Sequence, residues 1–76
     1  MKSVTISLNS IDKVKTFVNV ITSYGGDFDL ASDRYVVDAK SIMGIFSLDL
    51  GKNLRLDIHD DAIFDELNAK LKSFIV

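Results

Sequence analysis

The chain contains no cysteine, which excludes a disulfide framework, a thiolate metal site and a cysteine nucleophile. Histidine is almost as scarce, with His59 the single copy. No apolar run approaches the ~20 residues needed to span a bilayer, and no signal-peptide pattern opens the sequence. A cytoplasmic location, away from membranes, is therefore expected. Concentrated positive charge is missing as well. The nine basic residues are scattered and the net charge is −2, whereas phosphate backbones are bound by a dense basic surface. Nucleic acid is not an expected partner. There is no linker, internal repeat or low-complexity segment.

What remains is suited to one small folded unit. Seventy-six residues, 47% hydrophobic and 26% charged, describe a compact domain over 1–76 rather than a disordered chain. A chain of this size buries roughly 60% of its unfolded surface, so its core is small.

Residues 2–8 alternate, with Val4, Ile6 and Leu8 on one face and Ser3, Thr5 and Ser7 on the other, which predicts a half-buried strand. Asn9 or Ser10 offers an N-cap, and Asp12 falls in the first turn, where the helix dipole favours negative charge. Ile11, Val14, Phe17, Val18 and Ile21 follow at helical spacing, and Gly25-Gly26 supplies a stop. Segments 27–31 and 34–38 read as strands joined around Ser32-Asp33. A short helix over 41–48 comes next, then a turn containing Gly51. Leu54, Leu56 and Ile58 alternate with Arg55, Asp57 and His59 as a fourth strand. Asp60 or Asp61 caps a last helix with Ile63, Phe64, Leu67, Leu71 and Phe74 as its buried stripe. The expected class is α+β, a βαββαβα open-faced sandwich. Three helices cover one face of a four-stranded, largely antiparallel sheet.

The segment Lys40 to Leu48 carries the most functional information. Ser41 is a good N-cap, but Ile42, Met43, Ile45, Phe46 and Leu48 are too many apolar residues for one buried stripe. Gly44 inside the helix costs about 1 kcal/mol relative to alanine. A short helix that is apolar on more than one face presents part of itself to a partner. Met43 and Phe46, three residues apart, share a face.

The run Val37-Asp38-Ala39-Lys40-Ser41-Ile42-Met43-Gly44, followed by Ser47-Leu48, resembles the histidine-containing phosphocarrier protein (HPr) family of the sugar phosphotransferase system. It lies between the third and fourth strands, where that family carries it, and the element order resembles the family over nearly the whole chain. The resemblance implies that Ser41 is a regulatory phosphorylation site for an HPr kinase/phosphorylase. It also implies that Ile42, Met43 and Phe46 dock partner proteins. A phosphate at Ser41 would add about −2 charge beside Ile42, Met43 and Phe46. Lys40 is expected near enough to assist it.

The carrier chemistry of the family is another matter. Its motif, Gly-(Leu/Ile)-His-(Ala/Ser)-Arg-Pro, places a nucleophilic imidazole at the start of the first helix, beside an arginine. Carried back without gaps from Ser41, the histidine position falls on Ser10, the arginine position on Asp12 and the proline position on Lys13. A serine hydroxyl is a poor nucleophile without a base, and its phosphate ester is too stable to hand on. Asp12 places negative charge where a phosphoryl group needs positive charge, and Lys13 and Lys15 do not replace a positioned guanidinium. Ordinary phosphocarrier activity is not expected. His59 is not expected to take over, because an antiparallel fourth strand ends beside the beginning of the first strand, whereas Ser10 follows that strand's end. Asp57, His59 and Asp61 are read as strand-end and capping residues, with a phosphorylatable or metal-binding His59 as the alternative.

The expectation is thus a non-enzymatic, HPr-like regulatory or docking protein that resembles the Crh-type branch. Its expected partners are proteins: an HPr kinase/phosphorylase, a transcriptional regulator or phosphotransferase-system components. No cofactor and no metal is expected. Two alternatives are an active phosphoryl carrier using an unconventional residue, and an interaction scaffold unrelated to sugar transport.

Overall fold

A computed structural model describes residues 1–33 and 35–76. Its elements are β1 (Lys2–Ile6), α1 (Ile11–Thr22), β2 (Phe28–Ser32), β3 (Tyr35–Asp38), α2 (Ile42–Phe46), β4 (Leu54–Ile58) and α3 (Phe64–Lys70). A 3₁₀ turn over Asp61–Ile63 leads into α3. The sheet order is β1-β4-β2-β3 and every pairing is antiparallel. This is the open-faced βαββαβα sandwich expected from the sequence pattern.

Alternation decides which face of the sheet meets the helices. Ile6 of β1, Phe28 and Leu30 of β2, and Leu54, Leu56 and Ile58 of β4 are all buried. They pack with Val14, Phe17 and Ile21 of α1, Ile45 of α2 and Leu67 of α3 in one cluster. The opposite residues, Ser3, Thr5, Asp29, Arg55 and Asp57, form the face turned away from the helices, and of these five Asp57 is buried. Fully burying one such aliphatic side chain stabilises the fold by about 1.5–3 kcal/mol, so this cluster dominates the favourable side. Phe17 and Phe74 meet edge-to-face, with ring centroids 6.0 Å apart at 77°.

Several element boundaries differ from expectation. β1 ends at Ile6, yet Leu8 is fully buried just beyond it, so periodicity outlasts the hydrogen-bonded ladder. β2 begins at Phe28 rather than Asp27. The expected strand start at Arg34 lies outside the described residues. The helix expected over 41–48 is Ile42–Phe46, with Ser41 and Ser47 as its caps.

The last helix is not capped directly. Asp60 accepts the Ala62 amide hydrogen at 2.9 Å and caps the 3₁₀ turn instead. Ile63 and Phe64 are only half-buried, because that turn occupies the place of the first α-helical turn. After Lys70 the chain turns back. The Leu71 carbonyl accepts from the Phe74 amide at 2.8 Å, and Ile75 forms a bridge to Ile6.

Candidate functional site

Two helix starts carry the residues singled out above. At α1, Ser10 takes an extended backbone conformation and its side chain accepts the Lys13 amide hydrogen at 3.1 Å. The Ser10 carbonyl accepts from Val14 N–H at 3.1 Å, the first turn of the helix proper. The hydroxyl oxygen is therefore engaged as a cap. Asp12 sits in the first turn, and Lys13 provides the nearest cationic side chain in the sequence.

Ile11, expected in the buried stripe of α1, is instead 62% exposed. The buried stripe of α1 begins at Val14. The start of α1 lies against the C-terminal segment. Asp12, Lys13, Thr16, Ser73 and Phe74 line a shallow groove there. The contribution of Ser73 and Phe74 was not legible in the sequence, since it arises where the chain folds back after α3.

At α2, Ser41 repeats the same device. Its side chain accepts the Gly44 amide hydrogen at 3.1 Å, while its carbonyl accepts from Ile45 N–H at 3.0 Å. Ser41 is exposed. Its neighbours divide as the excess of apolar residues requires. Ile45 and Leu48 are buried, Ile42 is half-buried against the core, and Met43 and Phe46 are 77% and 40% exposed. Met43 and Phe46 therefore supply the outward apolar surface, with Ile42 at its inner margin.

The Lys40 side chain has partners outside α2. Its ammonium donates to the Tyr24 carbonyl at 2.8 Å and lies 5.4 Å from the centroid of the Phe28 ring. That combination of a carbonyl acceptor and an aromatic face holds the charge toward the residue that follows α1. Gly44 has a packing reason for its place. A Cβ there would lie 3.2 Å from Ser41 Oγ and 3.3 Å from Val37 Cβ, so the missing side chain at residue 44 eases the close approach of α2 to β3.

His59 lies at the far end of β1 from Ser10. The β1–β4 register pairs Lys2 with Ile58, so His59 follows beside the chain's first residue. Its Nε2 lies 2.8 Å from Asp29 Oδ2 on β2, a partner that only the sheet order reveals. The acids near it are engaged elsewhere. Asp61 faces the N-terminal ammonium at 3.3 Å, and Asp57 accepts from Ser3 Oγ at 2.7 Å and Arg55 Nε at 2.9 Å. Among the described residues, no three histidine or carboxylate side chains are grouped to hold a metal ion.

Asp57 was expected on the outward, wet side of β4, and it is buried there. Loss of water around the carboxylate raises its pKa. Hydrogen bonds from Ser3 and Arg55, and the positive charge of Arg55, outweigh that effect and hold it below the ordinary carboxylate value. No helix among the described residues is long and apolar enough to cross a membrane.

No protein-family model matches the chain, and neither does any curated protein sequence. Two solved structures do match. HPr-C-His from Thermoanaerobacter tengcongensis is 27% identical with a TM-score of 0.70, over 93% of this chain and 90% of that one. The phosphocarrier protein HPr from Bacillus anthracis str. Ames is 28% identical with a TM-score of 0.68, over 99% and 94%. The fold is HPr-like, and the near-complete coverage of both chains supports a relationship to the HPr phosphocarrier proteins.

Proposed function

We propose that this chain is an HPr-like protein of the phosphotransferase system that docks other proteins and does not relay phosphoryl groups. The observation that carries the reading is the state of Ser10. No imidazole stands at that position, and Asp12 follows in the first turn. Phosphoryl transfer needs a nucleophile with an accessible lone pair and a cationic group to hold the transferred charge. The start of α1 offers a serine hydroxyl, whose phosphate ester is too stable to hand on, and a carboxylate instead. His59 is separated from it by the length of β1 and is hydrogen-bonded to Asp29.

The docking part of the proposal rests on α2. Met43 and Phe46 are exposed apolar side chains on a helix whose remaining apolar residues already serve the core. Ser41, exposed at the start of that helix, is the regulatory residue in this reading. Phosphorylation there adds about −2 charge next to an apolar docking surface, which changes partner choice by desolvation cost and repulsion without refolding the chain.

Two incubations test the proposal. Phosphoenolpyruvate with the general phosphotransferase enzyme should leave this chain unlabelled under conditions that label an ordinary HPr. An acid-labile phosphoryl adduct would refute the loss of carrier activity. ATP with an HPr kinase should modify the wild type and not Ser41→Ala. Absence of modification, together with unchanged partner capture by Met43→Ala/Phe46→Ala, would remove both the regulatory and the docking roles.

A further inference from the structure

Sulfur is scarce in this chain. With no cysteine present, Met1 and Met43 hold its only two sulfur atoms. No thiolate competes for an oxidant, so attack on sulfur falls on a thioether. Both side chains are open to solvent, Met1 at 68% and Met43 at 77%. Met43 is the most exposed large apolar side chain among the described residues.

Met43 also takes no part in holding the fold. Ile45 and Leu48 belong to the buried cluster and Ile42 packs against it, whereas Met43 does neither. The start of α2 is fixed by the Ser41 cap and its inner side by Ile42 and Ile45. A change of polarity at residue 43 therefore leaves the packing intact. It falls instead on the outward apolar surface, three residues before Phe46 and two after the exposed Ser41. Residues three apart on a helix are surface neighbours, so Met43 and Phe46 form one patch. A standard protein contact covers about 800 Å² on each partner. A contact made at Ser41 thus extends over the Met43 side chain.

We propose that Met43 is a redox-sensitive modification site that controls this surface, an inference that rests on the docking role proposed above. The oxidant is a peroxide. A lone pair of the Met43 sulfur attacks one peroxide oxygen, forming an S–O bond as the O–O bond breaks. The sulfur gives up an electron pair and is oxidised, and the peroxide is reduced. The departing oxygen takes the proton of the transferred hydroxyl and leaves as water, or as an alcohol from an alkyl hydroperoxide. The product is methionine sulfoxide, a polar group in place of an apolar one, and enzymatic reduction reverses it.

The sulfoxide stays hydrated on the free chain, so the fold does not change. Docking would strip water from its oxygen with no matching donor in place, and that weakens the contact. Phosphorylation of Ser41 places charge beside the apolar surface. Oxidation of Met43 makes the surface itself polar.

Peroxide treatment of the whole chain, followed by peptide mass mapping, tests the site. Met43 should gain one oxygen atom at a rate within a few-fold of that of N-acetylmethionine amide. The circular dichroism and urea midpoint should stay at their untreated values. Docking is read as kcat/KM for Ser41 phosphorylation by an HPr kinase with ATP. Oxidation should lower it on the order of tenfold, mainly through KM, and methionine sulfoxide reductases should restore it. Met43→Leu keeps a similar apolar volume without sulfur. It should be phosphorylated close to the parent rate and be indifferent to peroxide. The proposal is overturned by a Met43 that resists oxidation, or by an oxidised chain phosphorylated as well as the untreated one. An equal loss in peroxide-treated Met43→Leu overturns it too. An untreated chain that the kinase ignores fails the proposed function itself, and this inference falls with it.

Discussion

Gly44 N–H donates to Ser41 Oγ at 3.1 Å, and a Cβ on Gly44 would lie only 3.2 Å from that oxygen and 3.3 Å from Val37 Cβ. The capping residue and the glycine three positions later act as one unit. Between them they set the start of α2 and its distance from β3, and so the place at which Met43 and Phe46 emerge.

Gly44→Ala should therefore destabilise the protein, although alanine is the better helix former by about 1 kcal/mol. The new methyl would meet Val37 Cβ, an atom fixed to a strand backbone, and would crowd the Ser41 hydroxyl. The expected net loss is about 1 kcal/mol, the balance of overpacking against propensity. It would be read as a lower urea midpoint with an unchanged slope, and an increase in stability would contradict the close approach.

Ser41→Ala should cost about 1 kcal/mol through loss of the cap, and Ser41→Asp should recover most of it, because aspartate caps equally well. Thermal unfolding of the three proteins side by side would check this. A Ser41→Asp variant as unstable as Ser41→Ala would show that the cap is not what the serine contributes.

Asp57→Asn should be destabilising at neutral pH by roughly 1.5–3 kcal/mol, the range for a hydrogen bond to a charged group. The folded carboxylate is held below its ordinary pKa, first against the burial that raises it, by the Ser3 and Arg55 hydrogen bonds. Its contribution is consequently present above the unfolded-state value and disappears as pH falls through the folded value. The stability gap between wild type and Asp57→Asn should narrow on acidification. Urea titrations at neutral and acid pH would measure it, and a gap that widens at low pH would reverse the assignment.

Lys40→Ala should lower stability by about 1 kcal/mol through loss of the hydrogen bond to the Tyr24 carbonyl and the contact with Phe28. It should leave the rate of Ser41 modification by an HPr kinase close to that of the wild type, since the ammonium is already engaged by the Tyr24 carbonyl and the Phe28 ring. A large fall in that rate without a fall in stability would place Lys40 at the serine instead.

Phe74→Ala should be the most damaging of these changes, costing roughly 3–5 kcal/mol for a buried aromatic. Phe74 packs edge-to-face on Phe17, and its backbone carbonyl anchors Ser7. That loss is a large share of the ~4–11 kcal/mol expected for a chain of this length. Chemical unfolding at low temperature would show it.

Much of this molecule follows from the chain alone, because strand and helix periodicities differ and each amphipathic face has one place to go. The alternation in 54–58, the caps Ser10 and Ser41, and the surplus of apolar residues in 41–48 all have local causes, and local causes are legible in a sequence. The replacement of histidine, arginine and proline by Ser10, Asp12 and Lys13 relative to the HPr motif is likewise a property of the sequence. Tertiary structure alone decided the pairings between distant segments. Asp29 meets His59 because β2 lies beside β4, Asp57 is buried because Ser3 and Arg55 close over it, and Lys40 reaches Tyr24 rather than its neighbour Ser41. It also decided that Phe74 to Val76 would close the β1 edge while β3 was left open. Strand order and side-chain partners depend on which distant segments come together, and no local periodicity encodes that choice.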